Sequence, residues 1–196
     1  MIQTSFTIRK WVIHTGIGWF LGVILILILS GFLESMHLDG QSILGFGMGI
    51  GVGLAQWLLL KKYFSISINW VILLTIGLTS PFVAFDIASR YFILKPETFI
   101  PEIIASGTIF SSYLQYRFLL KPINPDTKSW ILYSLFGWMA AAMLCMFSYP
   151  FLMHYLTRNV VAIINIILFT AAGPLLGFIT GSGLRGIINE ERQDKE

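Results

Sequence analysis

Residues 45–77 read GFGMGIGVGLAQWLLLKKYFSISINWVILLTIG. An apolar run crowded with glycine ends on Gln56, Trp57 and the basic pair Lys61–Lys62. A short loop follows, and Trp70 opens a second apolar run. Apolar segment, paired positive charge, short loop and interfacial tryptophan is the pattern of a membrane helical hairpin seen at its turn. Lysine and arginine gather on the cytoplasmic side of such turns, and tryptophan favours the headgroup level.

Working outward, six runs reach the roughly 20 apolar residues that a bilayer core of about 30 Å demands. They are Trp11–Leu33, Ser42–Leu60, Ile68–Arg90, Phe99–Leu120, Trp130–Met153 and Val160–Leu184. Peptide groups in lipid must be paired within the segment, so these runs are expected to be helices. They do not alternate as barrel strands would. The composition agrees: 56% of the 196 residues are hydrophobic, 12% are charged, and the mean hydropathy is +0.77. Soluble domains average nearer 25% charged. The expected fold class is an all-α integral membrane protein, with residues 1–196 forming a single membrane domain. Arg9 and Lys10 before Trp11–Leu33 resemble a signal peptide's charged start. That run is too long and lacks a small-residue cleavage site, so it reads as a retained span.

Orientation follows from charge. With the N-terminus in the cytoplasm, the inner segments carry ten lysines and arginines and the outer segments three (Arg90, Lys95 and Arg158). Excess positive charge marks the inside, so both termini are expected there, in agreement with an even number of spans. The net charge of +3 does not imply nucleic acid, because the basic residues cap apolar runs and form no stripe. The bilayer is the expected partner, with other membrane proteins or a homo-oligomer as further candidates.

The hairpin recurs. Trp11–Gly18 (WVIHTGIG), Trp70–Gly77 (WVILLTIG) and Trp130–Gly137 (WILYSLFG) each place glycine seven residues after tryptophan. The even spans match at GLAQWLLLK (53–61), SYLQYRFLLK (112–121) and GFITGSGLR (177–185). Gln56, Gln115 and Thr180 then correspond. Three and seven residues before them stand the small pairs Gly53 and Gly49, Ser112 and Thr108, and Gly177 and Gly173. Self-similarity at a fixed period is the mark of a repeat. The units are approximately 11–64, 70–121 and 130–188, and the third, lacking glutamine, is the most diverged. Two spans per unit insert all copies in one orientation, about an axis along the membrane normal. Small residues four apart let helices approach closely. The expectation is a pseudo-threefold six-helix bundle with the even helices lining its centre, the odd helices being the alternative, and with Trp11, Trp70 and Trp130 anchoring it at the inner interface.

The Gly-rich run ending in GLAQWLLLK, with a tryptophan opening the next span, resembles a motif of small bacterial multi-span membrane proteins built of GLxQW-type helical-hairpin repeats. The resemblance covers Gly45–Gly77 and Thr108–Gly137. It implies a bacterial inner-membrane protein and transfers no activity and no site residue. Tyr116 stands where the motif has tryptophan, and Thr180 where it has glutamine.

Polar groups in a membrane are functional candidates because lipid penalises them. Gln56, Gln115 and Thr180, at one depth, would form a ring able to bind a small solute or ion, or else hydrogen bonds that fix the bundle. Asp86 and Arg90 lie four apart on one helix and can pair. Pro81 below them breaks the backbone ladder, so the trio reads as a gate or ion site, or as an interfacial anchor. Glu102 after Pro101 is ordinary helix-start chemistry. Glu34, His37, Asp39 and His154 match no established ligand spacing, and no metal is expected. His14, Asn165 and Pro174 have no partner that sequence identifies. The single cysteine, Cys145, excludes an internal disulfide and a cysteine-based cluster. No Walker, zincin, nucleophile-elbow or dinucleotide motif occurs, so neither an enzyme nor a cofactor is expected. Three function classes remain in order: a small-solute or ion transport or binding module, a non-catalytic scaffold, assembly factor or sensor component, and a lipid-acting membrane enzyme.

Overall fold

The computed structural model describes residues 6–36, 40–92 and 96–184. Six helices follow one another: α1 (Ile8–Ser35), α2 (Ser42–Phe64), α3 (Asn69–Ser89), α4 (Pro96–Gln115), α5 (Ser129–Met153) and α6 (Arg158–Gly183). No strand occurs among the described residues. Five of the helices are long and apolar enough to cross a membrane; α4 is the exception. Its composition explains why. Thr108, Ser111, Ser112 and Gln115 lower its hydropathy, yet all four are buried, while Ile109, Phe110 and Tyr113 face outward. The polar side of α4 is an inner side.

Each helix packs on its neighbours in sequence, and α6 packs on α1, so the six close into a ring. The contacts run antiparallel. Gly18 and Gly22 of α1 meet Val52 and Met48 of α2, and Gly45, Gly49 and Gly53 of α2 meet Leu78, Thr75 and Val71 of α3. The odd helices therefore start, and the even helices finish, at one end of the bundle.

Glycine is what permits the approach. A Cβ added to Gly49 would lie 2.5 Å from the Cα of Thr75, and one on Gly173 2.6 Å from the Cβ of Trp19. Those positions cannot carry a side chain without moving a helix. Gly77 lies against Ser111 in the same manner.

One irregularity interrupts α4. Its last turn, Tyr116–Leu120, is π-helical, closed by Lys121 N donating to Tyr116 O at 2.8 Å. Five residues separate Gln56 from Lys61, but six separate Gln115 from Lys121. The π turn takes up the extra residue, as single-residue insertions in helices commonly do. Gln115 and Leu120 thereby both stay pointed inward.

Candidate functional site

The three tryptophans that open the odd helices meet on the axis. Ring centroids of Trp11, Trp70 and Trp130 lie 6.3, 6.0 and 5.3 Å apart pairwise, two of the pairs edge-on. Their exposures are 0, 0 and 2%. This corrects their expected role as interfacial anchors. They sit in the first turns of α1, α3 and α5, but turn inward to fill the bundle instead of outward to the headgroups. An indole buries a large apolar area, and its N–H needs an acceptor; the core supplies both.

The acceptors are the three corresponding polar residues. Trp11 Nε1 donates to Thr180 Oγ1 at 2.9 Å, Trp70 Nε1 to Gln56 Oε1 at 3.2 Å, and Trp130 Nε1 to Gln115 Oε1 at 3.2 Å. Each tryptophan thus reaches the even helix before its own hairpin, and Trp11 closes the circle onto α6. The same three side chains also donate. Gln56 Nε2 donates to Thr15 Oγ1 at 3.3 Å, Gln115 Nε2 to the Trp70 carbonyl at 3.4 Å, and Thr180 Oγ1 to the Leu176 carbonyl at 2.7 Å. Gln56, Gln115 and Thr180 are all buried, and they spend these hydrogen bonds on the bundle.

A second triplet, missed in the sequence, completes this layer. Leu60, Leu120 and Leu184 are fully buried against the tryptophans in one cluster. Each directly precedes a basic residue (Lys61, Lys121 or Arg185), and that shared position was the available signal. Trp57 and Tyr116, which follow the glutamines, brace the next loops: Trp57 Nε1 donates to Ile66 O at 3.0 Å, and Tyr116 Oη to Pro125 O at 3.3 Å. Tyr116 therefore replaces tryptophan without losing the bond.

The small pairs are occupied from within. Gly49 and Gly53 pack on Thr75 and Val71 of α3; Gly173 and Gly177 pack on Trp19 and Val12 of α1. Thr108 and Ser112 are buried on α4, where Thr108 Oγ1 donates to Ile104 O and Ser112 Oγ to Thr108 O. These faces build the ring and are not free surfaces.

Asp86 does not find its partner in Arg90, which is exposed. Its carboxylate accepts from the backbone N–H of Gln41 at 2.8 Å and of Ser42 at 2.9 Å, capping the start of α2. An anion there satisfies orphan donors and meets the positive end of the helix dipole. Pro81 lies inside an unbroken α3. The carbonyl it deprives is that of Gly77, and Ser80 Oγ donates to it at 3.4 Å. Gate chemistry is thus replaced by a helix cap and a repaired ladder.

The other singled-out residues are dispersed. His14 Nδ1 meets the Lys10 carbonyl of its own helix. Asn165 Oδ1 accepts from Ser148 Oγ, joining α6 to α5. Glu34 is exposed in the last turn of α1 and His154 is exposed just after α5; His37, Asp39, Lys95 and residues 185–196 are outside the described residues. No three potential metal ligands gather among the described residues.

Open space lies at the other end. An axial cavity of about 210 Å³ draws its walls from all six helices, including Trp19, Met48, Phe82, Ile104, Trp138 and Phe169. Trp19, Cys145 and Phe169 also wall a larger groove of about 740 Å³ along the α1–α6 seam. Both are apolar, and the buried Trp19 indole N–H that borders them has no acceptor among the described residues.

Comparison with protein-family models, curated proteins and solved structures finds no match for this chain.

Proposed function

We propose that this chain is a non-catalytic, membrane-embedded binding module that accepts a small apolar molecule from the lipid phase. In this reading it is a bacterial inner-membrane protein, a pseudo-threefold ring of three parallel hairpins with both termini cytoplasmic. The threefold reading is supported by contacts that recur at corresponding positions: three indole-to-polar bonds, three buried leucines, and Val71 and Val12 each packed under the second glycine of a small pair. The bacterial assignment rests on the GLAQWLLLK motif and the orientation on the ten-to-three charge bias.

The observation that carries the function is the axial cavity lined by all six helices, beside a groove that shares three of its wall residues. An apolar cavity with few polar groups suits an apolar ligand. The Gln56–Gln115–Thr180 ring serves as the lock that closes the inner end, and ion conduction through it is disfavoured because indoles fill the axis. A scaffold role is the second reading, favoured by how completely that lock is satisfied.

The test is tryptophan fluorescence of the purified protein titrated with a membrane-soluble brominated alkane, a quencher, in wild type and in Ala142→Phe, which fills the cavity. Binding predicts saturable quenching in the wild type, weakened at least tenfold in the variant. Non-saturable quenching, identical in both proteins, would leave the scaffold.

A further inference from the structure

The groove between α1 and α6 has a polar feature that neither cavity nor lock explains. Toward the inner end the two helices touch through Gly173, Gly177 and Gly181, and the Pro174 ring lies 3.3 Å from where a Cβ on Gly16 would be. Residues 158–172 contain no glycine, so the glycine-mediated approach ends at Gly173, and the groove runs along the seam on both sides of that level. On α1 the groove extends from Val12 to Val23, about 16 Å at the helical rise. It is open to the lipid along Ile13, Ile17, Phe20 and Ile166, all exposed.

Asn165 lies in this mostly apolar wall, whose other polar side chain, Thr170, is bonded to the Ile166 carbonyl of its own helix. Its carbonyl oxygen is taken by Ser148. Its amide N–H groups make no hydrogen bond to any described residue, and an unpaired amide facing hydrocarbon is costly. Seven residues earlier, two turns or about 10 Å toward the end of α6 and on the same face, stands the exposed Arg158, the helix's first residue. From the helix end inward the seam therefore presents a cation at a helix N-terminus, then a hydrogen-bond donor, then an apolar channel.

We propose that an anionic diacyl phospholipid of the outer leaflet occupies this seam. Its phosphate lies at Arg158 and the first turn of α6, where charge and helix dipole both attract it. An ester carbonyl accepts from the Asn165 amide, and one acyl chain runs down the groove toward Pro174. Charge complementarity at Arg158 and the order of the groups along α6 select this occupant, and chain-to-chain contact at the seam is the competing outcome of the test. The proposal rests on the bilayer placement above and not on the axial cavity being filled.

The test uses the full chain in vesicles containing trace phosphatidylglycerol with a photoactivatable acyl chain, with adducts mapped by mass spectrometry. Adducts are expected to concentrate on α1 and α6 around Ile17, Phe20 and Ile166, and to fall at least fivefold in Ile17→Trp, which fills the groove. Arg158→Gln should abolish the preference for phosphatidylglycerol over phosphatidylcholine, and Asn165→Leu the preference for ester- over ether-linked chains. Equal labelling of lipid-facing positions on other helices, such as Leu58, Ile72 and Ile109, would overturn the proposal. So would chain-to-chain adducts at the seam, or groove labelling indifferent to headgroup and linkage. Loss of the axial quenching site with seam labelling intact would sink the proposed function alone.

Discussion

The Gln56 amide bridges two hairpins: its oxygen accepts from the indole of Trp70 at 3.2 Å while its nitrogen donates to Thr15. Replacing it with leucine strands a buried indole N–H. Gln56→Leu is expected to cost about 1–3 kcal/mol, the penalty for an unsatisfied buried donor. A double-mutant cycle with Trp70→Phe should return a coupling of about 0.6–1.7 kcal/mol, the range for hydrogen bonds within membranes. Equilibrium unfolding in mixed micelles measures both, and a coupling of zero would remove the bond from the lock.

Glycine substitutions should separate by contact. Gly77 lies directly on Ser111, whereas Gly31 has nothing within 4 Å. Gly77→Ala overpacks a helix interface and should destabilise by about 1–3 kcal/mol. Gly31→Ala should be neutral or stabilise by up to about 1 kcal/mol through helix propensity. Melting temperatures of the two variants check the contrast directly.

Asp86 should behave as a helix cap. Asp86→Ala is expected to cost about 0.5–2 kcal/mol, as cap removal does, with Asp86→Asn losing less because its oxygen still accepts. Arg90→Gln should change stability by no more than about 0.5 kcal/mol, the usual range for surface substitutions. Equal losses for Asp86→Ala and Arg90→Gln would restore the ion pair.

The π turn offers a test by deletion. Removing the exposed Phe118 should convert residues 116–120 to an ordinary helical turn and leave Gln115 and the buried Leu120 in phase. Removing the exposed Leu58 from the regular helix α2 rotates Leu59 and Leu60 by about 100° out of the core. Membrane abundance and melting temperature should fall sharply only for the Leu58 deletion.

The periodicity of small and polar residues made most of this structure legible. All the helices but α4 follow from apolar length, and the spacing of Gln56, Gln115 and Thr180 before Lys61, Lys121 and Arg185 was visible. What spacing could not show was direction. Trp11, Trp70 and Trp130 stand at helix starts, where either the headgroups or the core can satisfy an indole; only the positions of the three acceptors on neighbouring helices decide for the core. Asp86 illustrates the same limit. Arg90 is near it in sequence, but the stronger partner is a helix start 44 residues away. The one-residue difference before Lys121 was visible without its consequence, because a π turn and a shifted register look identical in a sequence. The groove was not legible at all, since it arises from where glycines stop on α6 relative to α1.

The most direct measurement is indole proton exchange in the ¹⁵N-tryptophan-labelled protein, whose six tryptophans give six resolvable signals. The indole protons of Trp11, Trp70 and Trp130 should exchange slowly, and each should respond chiefly to loss of its own acceptor: Trp70 to Gln56→Leu, Trp130 to Gln115→Leu, and Trp11 to Thr180→Val. Fast exchange at all three, or a response that ignores this circular order, would contradict the indole lock and the ring of hairpins built on it.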